Sequence, residues 1–234
     1  DALNHQALVS LGKYLPGKVW GMVARGGLMR RWGMSARDVI ELSFLEQILV
    51  LHSAACVALL SAAWLLSSVR TELSALLLVV ALVGLLLGRP AVVPTVRWLA
   101  SRLTRSSIGS VSPLPSHITY MGWLFWYVLS WVLFGLVAAA VSAVVLPSLD
   151  LNLQSSLWFV LATTISMTLG FVALFAPAGL GVRDASLGWV LASWMTPVDA
   201  ALAVIVIRMW SILADAAIGC VLIMTGTLED RRDQ

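Results

Sequence analysis

Residues Leu151–Val182 read LNLQSSLWFVLATTISMTLGFVALFAPAGLGV and contain no charged side chain. About 20 mostly apolar residues suffice to cross the hydrocarbon core of a bilayer. This stretch therefore decides the class: the chain is an integral membrane protein. Four other runs support it. Gln47–Val69 carries only His52, and Leu73–Gly88 is short, about 24 Å if helical. Tyr120–Leu149 opens with Trp and Tyr, as at a membrane interface, and Ala200–Leu228 is broken by Arg208 and Asp215. The runs are continuous rather than alternating, which argues for helices and against a barrel.

Composition agrees. The 234 residues are 60% hydrophobic and only 12% charged, with mean hydropathy +0.93. A soluble domain carries about 25% charged residues. Cys56 and Cys220 lie within apolar runs and are read as small buried hydrophobes. The expected fold is an all-α polytopic membrane protein with about five spanning helices and two re-entrant or broken segments. One transmembrane domain covers 1–234. It comprises a re-entrant or interfacial segment 1–36, a helical hairpin 37–89, an amphipathic cytoplasmic linker 90–118, and a bundle 119–234 containing a re-entrant piece 176–195.

The net charge of +3 says less than the placement of the bases. Lys13, Lys18, Arg25, Arg30, Arg31 and Arg37 precede the first span; Arg89, Arg97, Arg102 and Arg105 follow the second. The positive-inside rule puts both groups in the cytoplasm and Asp150 outside. Counting five spans puts the C-terminal Glu229–Asp233 on the outer side, against the preference of Arg231 and Arg232. Val96–Arg105 is amphipathic and suits an anionic lipid surface. Nucleic acid is a poor match for bases so close to membrane spans.

Two segments are punctuated rather than spanning: Leu8–Gly21 and Phe175–Ala185, the latter containing Pro177, Gly179 and Gly181. A break at membrane depth frees backbone polar groups, which is tolerated only beside protein or a wet cavity. The helix starting near Val182 would aim its positive end into that cavity, an anion seat reinforced by Arg183. An offset of 161 residues sets Pro16 on Pro177, Ala24 on Ala185, Gly27 on Gly188, Met34 on Met195 and Asp38 on Asp199. The shared element order points to a duplicated unit, parallel if four spans separate the copies.

Ionisable groups at helix centres cost about 2.5–3.5 kcal/mol each on insertion scales and so mark candidate sites. Arg183, Arg208, Pro177, Gly179, Gly181, Lys18 and Arg25 are the candidate phosphate-binding set, with Asp184, Asp215 and Glu46 balancing charge. Arg208 and Asp215 are about 10.5 Å apart along one helix, too far to pair, so each is expected to meet another helix or a ligand. His52 is expected to be a hydrogen-bonded interior residue. No Ser-His-Asp or thiol-His arrangement and no metal-ligand spacing stands out, so no catalytic residue, metal or cofactor is assigned.

Leu11-Gly12-Lys13-Tyr14-Leu15-Pro16-Gly17-Lys18, then Ala36-Arg37-Asp38, Glu46-Gln47, Pro177-Ala178-Gly179-Leu180-Gly181-Val182-Arg183-Asp184-Ala185 and Arg208 together resemble the lysylphosphatidylglycerol synthase transmembrane-region family. Asp184 stands where that pattern usually has Glu, and Gln47 where Arg usually follows Glu46. The resemblance implies a multi-pass protein of a bacterial or archaeal cytoplasmic membrane. It covers the lipid-translocating half of such proteins, not the synthase reaction. The expected activity is binding and translocation of an anionic or aminoacylated phospholipid or a lipid-linked glycan, without enzymatic chemistry. The alternatives are a membrane-embedded transferase on a lipid-linked donor, or a scaffold for a lipid or glycan enzyme. The expected partners are membrane lipid, with a homo-oligomer or partner enzyme also open.

Overall fold

The computed structural model describes residues 36–104, 115–173 and 181–230, and the described residues are helical with no strand. The helices are α1 (Ala36–Leu66), α2 (Thr71–Thr104), α3 (His117–Val145), α4 (Leu153–Val172), α5 (Val182–Ala192) and α6 (Pro197–Asp230). Five are long and apolar enough to span; α5, at 11 residues, is not.

Local chemistry sets several starts. Ser116 caps α3 by accepting from the Thr119 amide, and Asn152 with Ser155 forms a reciprocal capping box on α4. Thr196 accepts from the Asp199 amide and donates to its carboxylate at 2.8 Å. Pro197 takes the first position of α6, where a missing N–H is harmless.

Two apolar clusters organise the bundle. Leu45 and Leu49 of α1 pack with Val93 and Val96 of α2 and Tyr120 and Leu124 of α3. Ala138 and Ala139 of α3 pack with Phe159 and Ala162 of α4, Leu187 and Leu191 of α5, and Ala203 and Ile207 of α6. Small residues permit this closeness: a Cβ on Gly135 of α3 would fall 2.5 Å from Val160 Cα of α4. Buried hydroxyls on α4 return to their own helix: Thr163 and Thr164 donate to Phe159 and Val160 carbonyls at 2.6 Å, Ser166 to Thr163. That satisfies polar groups in a layer where water is absent.

Two expectations are corrected, for the second run and for Cys220. The short second run does not end its helix at Gly88: α2 continues unbroken through Pro90 and Pro94 to Thr104, taking in the amphipathic stretch that starts at Val96. Its 34 residues reach about 51 Å, beyond a hydrocarbon core of about 30 Å. Within the uncharged run Leu151–Val182, α4 ends at Val172 and a new helix starts at Val182, in agreement with the helix start expected there. Cys220 is exposed on α6, whereas Cys56 is buried as expected. The short helix α5 also reverses the direction of the chain. Gly170 of α4 touches Arg183 of α5, while Trp158 and Phe159 meet Trp194 through ring contacts. The two helices are therefore antiparallel, and α5 carries the chain back toward Asp150. A polar bowl there is lined by Asp150, Asn152, Trp194, Thr196 and Asp199. Gly188 then meets Val204, and Asp184 meets Arg208, so α6 runs away from the Asp150 end. The far end of α6 therefore lies at the end of the bundle opposite Asp150. Residues 16–35 of the first copy of the suggested duplication lie outside the described ones, while its Asp38 and Glu46 lie on α1.

Candidate functional site: charges at the start of a short helix

The break after α4 ends in Gly181, which precedes α5 with φ +83° and ψ −54°. Only glycine takes that backbone easily. The Gly181 carbonyl accepts the Ala185 amide at 2.8 Å, while no side chain caps the first turn. The first helical turn then presents Arg183 and Asp184 side by side.

Each is met by a different helix. The Arg183 guanidinium lies over the Phe134 ring of α3, 5.9 Å from its centre. The base of its side chain is set close to α4: a Cβ on Gly170 would be 3.0 Å from Arg183 Cβ. Asp184 Oδ1 lies 3.7 Å from Arg208 Nη1 of α6, with the two side chains 29% and 19% exposed. Charge-assisted N–H···O contacts are typically about 2.7–2.9 Å. This is an ion pair held loosely, and both members remain within reach of a third group.

Along α6, Arg208 is eleven residues beyond Pro197, about 16 Å from the α5–α6 turn. As expected, Arg208 meets another helix, and it meets Asp184 rather than Asp215. Asp215 lies farther along α6 and engages elsewhere. Glu46 also sits apart, in a cleft between α1 and α3 with Trp123 and Trp126. Of the other candidates, Gly181 takes the position just described. Pro177, Gly179, Lys18 and Arg25 lie outside the described residues.

His52 is the interior residue expected of it. Its Nε2 faces the Gly84 carbonyl at 3.0 Å and its Nδ1 faces the Tyr120 hydroxyl at 3.0 Å. A carbonyl only accepts, so Nε2 carries the proton and Tyr120 donates to Nδ1. The ring also fills a notch at Gly88, where a Cβ would collide with it. That Gly84–Gly88 spacing is a small-residue motif visible in the sequence and unused there. Phe134 and Gly170, which locate Arg183, gave no signal beyond being an aromatic and a glycine within spanning runs. Near the end of α2, Arg102 lies 5.6 Å above the exposed Trp98 ring, and Arg89 donates twice to the Pro115 carbonyl.

A family model described as the lysylphosphatidylglycerol synthase TM region matches residues 7–219. The match covers α1 to α5, both punctuated segments and α6 as far as Gly219. Neither a curated protein nor a solved structure matches. Five helices long and apolar enough to span accord with that match and make this a multi-pass membrane protein. On the extent of the family match, the chain belongs to the lysylphosphatidylglycerol synthase transmembrane-region family.

Proposed function

We propose that this domain binds the phosphate-bearing headgroup of an anionic or aminoacylated phospholipid, or of a lipid-linked glycan, and carries it between leaflets of the cytoplasmic membrane. The observation that supports this most is the loose Arg208–Asp184 pair at the start of α5, an 11-residue helix too short to span.

A phosphate entering the cluster meets Arg208, Arg183 and the positive end of α5. Asp184 gives up its partial hold on Arg208 as the phosphate arrives, so Arg208 is never left at membrane depth without an anion. The exchange keeps the desolvation cost of the empty state low, because a charge stranded in hydrocarbon is what insertion penalises. The short helix supports the rest of the reading: its N-terminus offers the polar stop that a headgroup in transit needs.

The test is leaflet exchange of a fluorescent phosphatidylglycerol in vesicles containing the purified protein. Wild type should exceed protein-free vesicles, and Arg208→Ala should lower the protein-dependent rate by at least about a hundredfold, the loss of one desolvated charge contact. A wild-type rate equal to that of empty vesicles defeats the proposal.

A further inference from the structure

The bowl at the far end of α5, where the α3–α4 and α5–α6 turns meet, is a second place for a ligand. Its volume of about 700 Å3 lies within the range of small-molecule sites. Leu146, Leu149 and Trp194 give it an apolar wall, and Asp150, Asn152 and Asp199 add polar side chains. Among the described residues no base lines it, so a phosphate would meet two carboxylates with no counter-charge.

Local motifs fix what each group has to offer. Asn152 Oδ1 accepts the Ser155 amide at 2.9 Å in the α4 capping box, so its NH2 group remains a donor. Thr196 occupies Asp199 Oδ2 at 2.8 Å and leaves Oδ1 as an acceptor. Asp150 lends its backbone carbonyl to Ser155 Oγ at 2.8 Å, and among the described residues its exposed carboxylate is uncommitted. Trp158 stacks nearly parallel to Trp194, with centroids 6.2 Å apart, and Phe159 meets it edge-on. The indole is thus held in place before any ligand arrives.

We infer that this bowl binds a pyranose ring, its C–H face on the apolar wall and its vicinal hydroxyls on the carboxylate and amide groups. A hydroxyl both donates and accepts, so a diol uses carboxylate acceptors and amide donors together. The two carboxylates alone would suit a cation equally well; the fixed Asn152 donor separates the two. An ammonium carries N–H groups only and would leave that donor facing its own kind. An acyl chain would press hydrocarbon against the carboxylates. The 11 residues of α5, about 16 Å, separate the bowl from the charges at its start, so either site can fail alone.

The experiment is saturation-transfer NMR on the protein in phosphatidylglycerol nanodiscs, each signal referred to protein-free discs. The probes are the methyl glycosides of glucose, galactose and mannose, with tetrahydropyran as the hydroxyl-free ring and cyclohexylammonium as the cation. At least one glycoside should bind about tenfold tighter than tetrahydropyran, because the hydroxyl-free ring leaves polar groups unpaired. Asn152→Asp keeps the capping oxygen but exchanges the donor for a charge, and should weaken that glycoside about tenfold. A cation site would respond to it in the opposite sense. Asp150→Ala, at an exposed position, should also weaken the glycoside, and carries the test should Asn152→Asp fail to fold. Arg208→Ala should bind it as wild type does. Competition by the same sugar on a prenyl phosphate doped into the disc assigns the ring to a lipid-linked glycan. Competition by its soluble trisaccharide alone assigns it to a free one; competition by neither overturns the site. No glycoside exceeding tetrahydropyran, tighter binding of cyclohexylammonium, glycoside binding unchanged by Asn152→Asp, or its loss in Arg208→Ala also overturns it.

Discussion

At the junction of α1, α2 and α3, both nitrogens of His52 are bonded at 3.0 Å and its ring is packed into a glycine notch. At the junction of α4, α5 and α6, a full ion pair stands 3.7 Å apart with about a fifth of Arg208 exposed. Both are polar groups within membrane spans, where an unsatisfied group costs several kcal/mol. The first resolves that cost with neutral hydrogen bonds and a close fit, which leaves nothing for a ligand to exchange. The second leaves charges imperfectly matched. The difference separates a polar group that holds helices together from one that can change partners.

The comparison can be broken most directly at Gly88. Gly88→Ala drives a methyl into a ring held from two sides, so it should destabilise the protein by about 2 kcal/mol. Gly84→Ala, whose Cβ would sit 4.0 Å from His52 Nε2, should be near neutral. Thermal unfolding in detergent measures both, and equal melting temperatures would mean that the notch is not tight. Transport per folded molecule should be unaltered in either variant.

A smaller effect is expected at the other junction. Gly170→Ala pushes against Arg183 Cβ at 3.0 Å, a contact that a slight shift of α5 can relieve. It should cost about 1 kcal/mol of stability at most. Its lipid exchange should fall several-fold, because Arg183 moves with α5. Unchanged exchange in vesicles would separate Arg183 from the transport path.

Much of the bundle was legible because the bilayer imposes a length of apolar sequence on every crossing. The spans around His52, Tyr120 and Arg208 could be found that way. The second run was bounded at Gly88 because Arg89 ends its uncharged stretch, yet α2 continues through Pro90 and Pro94. Membrane helices tolerate interior prolines where neighbouring groups re-satisfy the freed backbone. The short helix at Val182 was legible from its Pro and Gly punctuation, but its reversal of the chain was not, because 11 residues fall below any span threshold. For the site, the charges Arg183, Asp184 and Arg208 were visible as types out of place. Their pairing was not, since it depends on α6 lying against α5, which no local pattern encodes.

The mildest test concerns a bond across the first junction. Trp131 donates its indole N–H to Ser53 at 3.0 Å. Trp131→Phe removes that donor with most of the ring retained. It should cost about 0.6 kcal/mol, the average for interhelical hydrogen bonds in membranes. A loss of several kcal/mol would show that α1 and α3 rely on this bond far more than the shared packing around Tyr120 suggests.

Gly181 carries one more implication. Its positive φ is demanded by how the polypeptide must swing into α5, whatever molecule is handled nearby. The closing glycine of the Pro177-x-Gly179-x-Gly181 signature is therefore a stereochemical requirement rather than a label for cargo. Two proteins sharing that signature need share only a hinge of the same handedness, and their ligands have to be read from the side chains that come after it.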